Sequence, residues 1–133
     1  MNYLLDTCTI SDLFKRLPSV LIHFSRVKPN QVHISTISVM EVEYGLILNP
    51  ERAKKLRPTW SALLAHTQVV PFSHESALKA ASIRAYLKNR GLSIGHYDVL
   101  LAGVALAHEL TIVTSNVSEF TRVDGIVIED WRS

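Results

Sequence analysis

A chain of 133 residues, 47% hydrophobic with a formal net charge of +2, has enough apolar content for a core of its own and is read as one domain, 1–133. The balance announces no broad basic surface of the kind that signals nucleic-acid binding, and the single cysteine, Cys8, excludes an internal disulfide framework. No apolar run approaches membrane-spanning length and the N-terminus lacks a signal-peptide pattern, so the expectation is a soluble cytoplasmic protein with no membrane partner.

Tyr3-Leu4-Leu5 is a short apolar run that Asp6 ends. Thr7, Thr9 and Ser11 follow, and Ile10, Leu13, Phe14 and Leu17 recur at helical spacing. This predicts a strand buried on both faces, with Asp6 at its carboxyl end where a helix starts. Ligands bind there in open parallel sheets. Helices are expected over 10–15 and 19–27, broken at Pro18. Lys28-Pro29-Asn30 forms a turn and 31–35 a second strand. Thr36 or Ser38 caps the next helix, whose apolar side carries Val39, Met40, Val42 and Leu46; Gly45 within it suggests close helix packing. After Asn49-Pro50, a basic helix over 51–65 is expected to be kinked or divided by Pro58. Residues 69–72 read as a third strand, with Pro71 at its end or on an edge.

Ser73-His74-Glu75-Ser76 opens a helix that runs to residue 89 and is closed by Gly91. Its alanines, Ala77, Ala80 and Ala81 among them, give it a small, close-packing surface. A loop over 93–98 leads into a helix over 99–108 that is apolar almost all round, hence buried on most sides. Strands over 111–114 and 126–128 flank a turn or short helix at 116–120. Strands alternating with helices predict an α/β sandwich around a mainly parallel sheet. The basic groups at Lys54, Lys55 and Arg57 and at Lys79, Arg84, Lys88 and Arg90 read as solvated helix faces.

The acids are the informative residues. Asp98 comes just before the apolar helix, at the rim of the core; capping is a plain structural reading of it and of Asp6. Glu41 and Glu43 both read plainly as solvent-facing acids, but Glu41 lies on the side of Val42, Gly45 and Leu46, whereas Glu43 points roughly opposite. An acid on the inward edge of an amphipathic helix needs a partner or a cation. Glu119, beside Asn116, reads equally as an exposed acid. Carboxylates brought together repel, and one would hold its proton. A divalent cation removes that conflict, and oxygen-only ligands favour Mg²⁺ or Mn²⁺ over Zn²⁺. Nearby carboxylates would oppose thiolate formation at Cys8. The histidines lack metal-ligand spacing, and Trp60 and Trp131 read as packing residues.

Five motifs in this order resemble a PIN-domain ribonuclease, specifically the VapC-type toxin of a type II toxin–antitoxin pair, and the likeness runs nearly end to end. They are Tyr3-Leu4-Leu5-Asp6-Thr7, the stretch from Ile37 through Glu41 to Gly45, the stretch from Ile94 through Asp98 to Gly103, Val113-Thr114-Ser115-Asn116-Val117-Ser118-Glu119-Phe120, and Glu129-Asp130-Trp131. The resemblance implies a PIN-like α/β/α sandwich around a five-stranded, mainly parallel sheet. It also implies Mg²⁺- or Mn²⁺-dependent endonuclease cleavage of RNA, often a structured RNA such as tRNA. Asp6, Glu41 and Asp98 match the family's three most regular acids, with Gly45 selecting Glu41 over Glu43. Glu119 matches the fourth acidic position, and Asn116 stands where some relatives carry Asp. Thr7 and Thr114 are expected as supporting hydroxyls. Cys8 departs from the Asn of many relatives, and His96 is read as a structural or substrate-edge residue. A cognate antitoxin presenting a basic side chain to the carboxylates is implied. So is a homodimer, which Ala77, Ala80 and Ala81 or Ala102 and Ala105 would serve unless they pack the core.

Two rival readings stand beside the nuclease. One is a non-catalytic PIN-fold module that binds RNA or protein; retention of the acids speaks against it. The other is phosphoryl transfer through an aspartyl-phosphate. Cys8 stands where a haloacid-dehalogenase pattern needs a second Asp, and no Asp lies near Val69-Val70 for a receiver.

Overall fold

A computed structural model describes all 133 residues. Five short strands, β1 (Tyr3–Leu5), β2 (Val32–Ser35), β3 (Gln68–Val70), β4 (Thr111–Val113) and β5 (Ile128–Glu129), form one sheet in the order β3-β2-β1-β4-β5. Every pairing is parallel, and Leu5 at the centre is in register with Ile34 on one side and Val113 on the other. Parallel strands need crossovers. These are supplied by α1 (Thr7–Phe14), α2 (Pro18–Ser25), α3 (Thr36–Leu48), α4 (Pro50–His66), α5 (His74–Asn89), α6 (His96–Ala107) and α7 (Val117–Phe120). No helix is long and apolar enough to cross a membrane.

Side chains alternate across a strand, and here the alternation divides the core in two. Leu4 and Ile112 pack with Ala80, Ile83, Leu101, Ala102 and Phe120 beneath α5, α6 and α7. Leu5, Ile34 and Val113 pack with Ile10, Val42, Trp60 and Trp131 beneath α1 to α4. The chain builds outward from β1 through β2 to β3, and β4 then pairs with the other side of β1. The carboxyl ends of β1 and β4 therefore flank the reversal of strand order, the crevice where open α/β sheets hold ligands.

Several boundaries differ from the sequence expectation. The cap of α3 is Ser35, whose hydroxyl accepts from Ile37 N at 3.1 Å, so helix follows strand without the extra residues that capping by Thr36 or Ser38 would need. α4 runs undivided past Pro58. The proline and Lys54, whose carbonyl it leaves without an amide, are exposed, and water can satisfy that carbonyl. β3 ends before Pro71 and lies on the sheet edge; β5 is displaced to Ile128–Glu129. Glu43 does not face solvent freely. It accepts from Trp60 Nε1 at 2.7 Å and Arg57 Nη1 at 2.8 Å, tying α3 to α4, and those hydrogen bonds hold its carboxyl below the usual range. Gly91, at φ +66°, ends α5 as expected: Leu92 N donates to Leu87 O and Gly91 N to Lys88 O.

Gly45 does not seat a neighbouring helix, since a Cβ there would meet open space. The close approach falls at Gly103, where an added Cβ would lie 2.7 Å from Ser76 O and 2.9 Å from Ala80 Cβ. Ala80, Ala102 and Ala105 are buried in the chain's own core, leaving only Ala77 and Ala81 of the proposed dimer surface exposed. Gly103→Ala should therefore force α5 and α6 apart and destabilise the protein by about 1–3 kcal/mol. Urea denaturation checks this, and an unchanged midpoint would mean that the two helices separate freely.

Candidate active site

Asp6 follows β1 and is the N-cap of α1, its Oδ1 accepting from Thr9 N at 2.8 Å. Capping is thus real, yet it engages only one oxygen. The residue is 2% exposed. Thr9 also donates from Oγ1 to Val113 O at 3.0 Å, fixing the start of α1 against β4. Burial pushes the Asp6 carboxyl above its ordinary value. Hydrogen bonds from Thr114 and Thr9 oppose that shift, and the charge of Asp12 adds to it.

Glu41, on the second turn of α3, is half-buried and directed at α1, where Thr7 Oγ1 donates to its Oε1 at 2.8 Å. The buried Ser38 hydroxyl lies 3.2 Å from Thr7 Oγ1. Asp98 corrects the sequence reading. It does not precede its helix but occupies the first turn of α6, which begins at His96 with Gly95 as N-cap. A carboxylate there is favoured by the helix dipole. A Cβ on residue 95 would sit 3.2 Å from Asp98 Oδ2, so the bare backbone of Gly95 leaves room for the carboxylate.

Asn116 draws in the fourth acid. Its backbone N–H donates to the buried Thr114 hydroxyl at 2.9 Å, and its side-chain Nδ2 donates to Asp98 Oδ2 at 3.3 Å and to Glu119 Oε2. One amide thus bridges two carboxylates. Burial, a hydrogen bond shared with Glu119, and the charges of Asp6 and Glu119 push the Asp98 carboxyl up to about 6. Its neutral form is favoured in the fold, so this group supports stability at low pH and withdraws that support as pH rises from about 4 through about 6. Melting of the protein in chelator should show this fall, and Asp98→Asn should flatten it. A wild-type profile that climbs across the same interval would contradict the assignment.

Asp6, Thr7, Cys8, Glu41, Gly95, His96, Tyr97 and Asp98 line one open cleft of about 250 Å³ at the carboxyl end of β1. Three of the four expected acids thus share a cleft, with Glu119 behind Asp98. Thr7 and Asn116 touch the acids directly, and Thr114 acts on Asp6 and Asn116. Side chains as they stand form no closed cage of three acidic, histidine or cysteine groups around one point. Glu41 is engaged by Thr7 and Asp98 by Asn116. The donor chemistry nevertheless suits a hard divalent cation: oxygen ligands, no histidine pair, and two carboxyls held above their ordinary range. Burial and the surrounding carboxylates raise the exposed Cys8 thiol, which opposes a nucleophilic thiolate.

Sequence patterning did not find Ser38, Gly95 or the pair of Asp12 with Arg132. Asp12 is 1% exposed, and Arg132 grips it with Nε–Oδ2 at 2.7 Å and Nη2–Oδ1 at 2.9 Å. The available signal was an acid lodged among the apolar positions of α1, which requires a cation.

The PIN domain family model matches residues 3–126. The tRNA(fMet)-specific endonuclease VapC of Salmonella typhimurium is 32% identical over 133 residues, covering 98% of each chain. Among solved structures, VapBC2 from Rickettsia felis bound to a DNA fragment from its promoter superposes with a TM-score of 0.89 at 27% identity, covering 98% of this chain and 99% of that one. A toxin–antitoxin complex from Klebsiella pneumoniae gives 0.74 at 25% identity, covering 95% and 96%. With a matching family model, a relative of that identity over nearly its whole length and the same parallel sheet, the chain belongs to the PIN-domain family, among its VapC ribonucleases.

Proposed function

We propose that this protein is a divalent-metal-dependent endoribonuclease and the toxin half of a toxin–antitoxin pair. The observation that carries the reading is the common cleft of Asp6, Glu41 and Asp98 at the reversal of strand order. Asp6, Glu41 and Asp98 would hold Mg²⁺, or Mn²⁺ in its place, with Glu119 assisting beside Asp98. When bound, such an ion supplies Lewis-acid stabilisation of phosphoryl charge and a more acidic water. Thr7 orients Glu41; Asn116 keeps Asp98 and Glu119 together despite their like charge. Asp6 is held by the Thr9 amide at Oδ1 and by the Thr114 hydroxyl while it lines the cleft. The substrate is RNA, and the Salmonella relative's name favours a tRNA.

An antitoxin segment has a seat beside this cleft. Leu13, Phe14, Leu21, Phe24 and Leu63 line an apolar groove of about 360 Å³ between α1, α2 and α4. Phe14 is shared with a second hollow that includes Thr7 and Glu41, so an apolar segment lying there could extend a basic side chain toward the carboxylates. Incubation with total cellular RNA tests the enzyme reading. Cleavage should vanish in chelator and return with Mg²⁺, and calorimetry should show Mg²⁺ binding. A folded protein that neither binds the ion nor cuts RNA would be a binding module instead.

A further inference from the structure

Carboxylates repel the polyanion they are to cut, so cations beside the cleft must hold the strand. The acidic cleft shares His96 with a larger open groove, about 610 Å³, between α5 and the 92–99 segment. Arg84 and Lys88 stand one helical turn apart along it, both exposed. Neither has a carboxylate partner; the chain's ion pairs are Lys54–Glu51, Arg57–Glu43 and Arg132–Asp12. Beside them the same wall is small and apolar at Ala81 and Ala85. The opposite wall is steadied by Arg122 Nη1, which donates to Ser93 O at 2.6 Å.

We infer that this groove is the track for the RNA strand flanking the scissile phosphate. Arg84 and Lys88 pair with its phosphates, and the alanine wall accepts sugar and base faces. His96 marks the passage into the cleft. Unpaired cations beside an acidic cleft suit a polyanion that must enter it. The inference rests on the ribonuclease reading above.

The test is binding of unfractionated tRNA in chelator, followed against salt. Arg84→Gln/Lys88→Gln should bind about ten-fold more weakly, with a log–log salt slope shallower by about 1.4 to 1.8, the share of two phosphate contacts. With Mg²⁺, KM should rise while kcat stays within about two-fold. Arg84→Lys should retain the slope. Ala85→Glu, at an exposed position, should weaken binding independently of the double variant's folding. Lys54→Gln/Lys55→Gln, which removes the same charge from α4 outside the groove, should leave the slope unchanged. An unchanged slope in the Arg84/Lys88 variant, an equal change in the α4 control, or loss of antitoxin binding with tRNA binding intact would overturn the inference. Wild-type protein that cuts RNA alongside an Arg84/Lys88 variant with unaltered KM and slope removes only this inference. Wild-type protein inert toward every RNA with Mg²⁺ removes the ribonuclease reading itself.

Discussion

Asp6→Asn should lower RNA cleavage by about 10³-fold, about 4 kcal/mol of transition-state stabilisation, in a protein no less stable than the original. Asn keeps the side-chain oxygen that accepts from Thr9 N, so the cap of α1 survives. What it removes is a charge that burial already disfavours: the Asp6 carboxyl is raised in the fold. A raised carboxyl makes the folded state less stable as pH rises through its titration. The neutral amide escapes that loss, and the melting midpoint near neutral pH should hold or increase. Cleavage at saturating Mg²⁺ and a thermal melt on the same preparation are the two measurements. Cleavage undiminished in a folded Asp6→Asn protein would remove Asp6 from the site.

Trp131 and Arg132, near the C-terminal end, should each contribute measurably to stability. Trp131 is 1% exposed and packs its ring against Tyr3, His23 and Phe24 at centroid distances of 5.7, 5.9 and 6.4 Å. Its Nε1 donates to Glu129 Oε1 at 3.0 Å. Trp131→Ala should destabilise by about 3–5 kcal/mol, read in a denaturant titration. Arg132→Ala should also lower the midpoint, because it leaves the Asp12 carboxylate buried and unpaired. Adding Asp12→Asn to that variant should recover much of the loss. No loss on removal of Arg132 would mean that water reaches Asp12 and replaces the guanidinium.

How much of this was legible in the sequence depended on distance along the chain. Asp6 could be placed because Tyr3-Leu4-Leu5 and the helical spacing of Ile10, Leu13 and Phe14 bracket it within a few residues. Glu41 could be turned inward from the positions of Val42 and Leu46, both buried as that reading requires. Asp98 was placed on the wrong side of its helix start. His96 and Tyr97 lie exposed in the first turn of α6, where hydrophobic patterning has nothing to register. The partners of Glu43 were hidden for a different reason: Arg57 and Trp60 belong to another helix, and periodicity within α3 cannot reveal them. Asp12 and Arg132 stand 120 residues apart, and only the closing of the sheet brings them together. The bridge by Asn116 between Asp98 and Glu119 needs α6 laid back along β4, which brings the start of the helix beside the carboxyl end of that strand.

Asp6 caps α1 and Asp12 lies within it, and both are almost wholly excluded from water. The fold supplies a guanidinium to Asp12, while Asp6 forms no ion pair within the chain. The helix thus keeps one anion permanently matched and leaves the other reliant on whatever enters from outside. Charge balance at Asp6 would then be a variable that the surroundings set, and occupancy of the cleft would register as a change in how firmly the start of α1 is held.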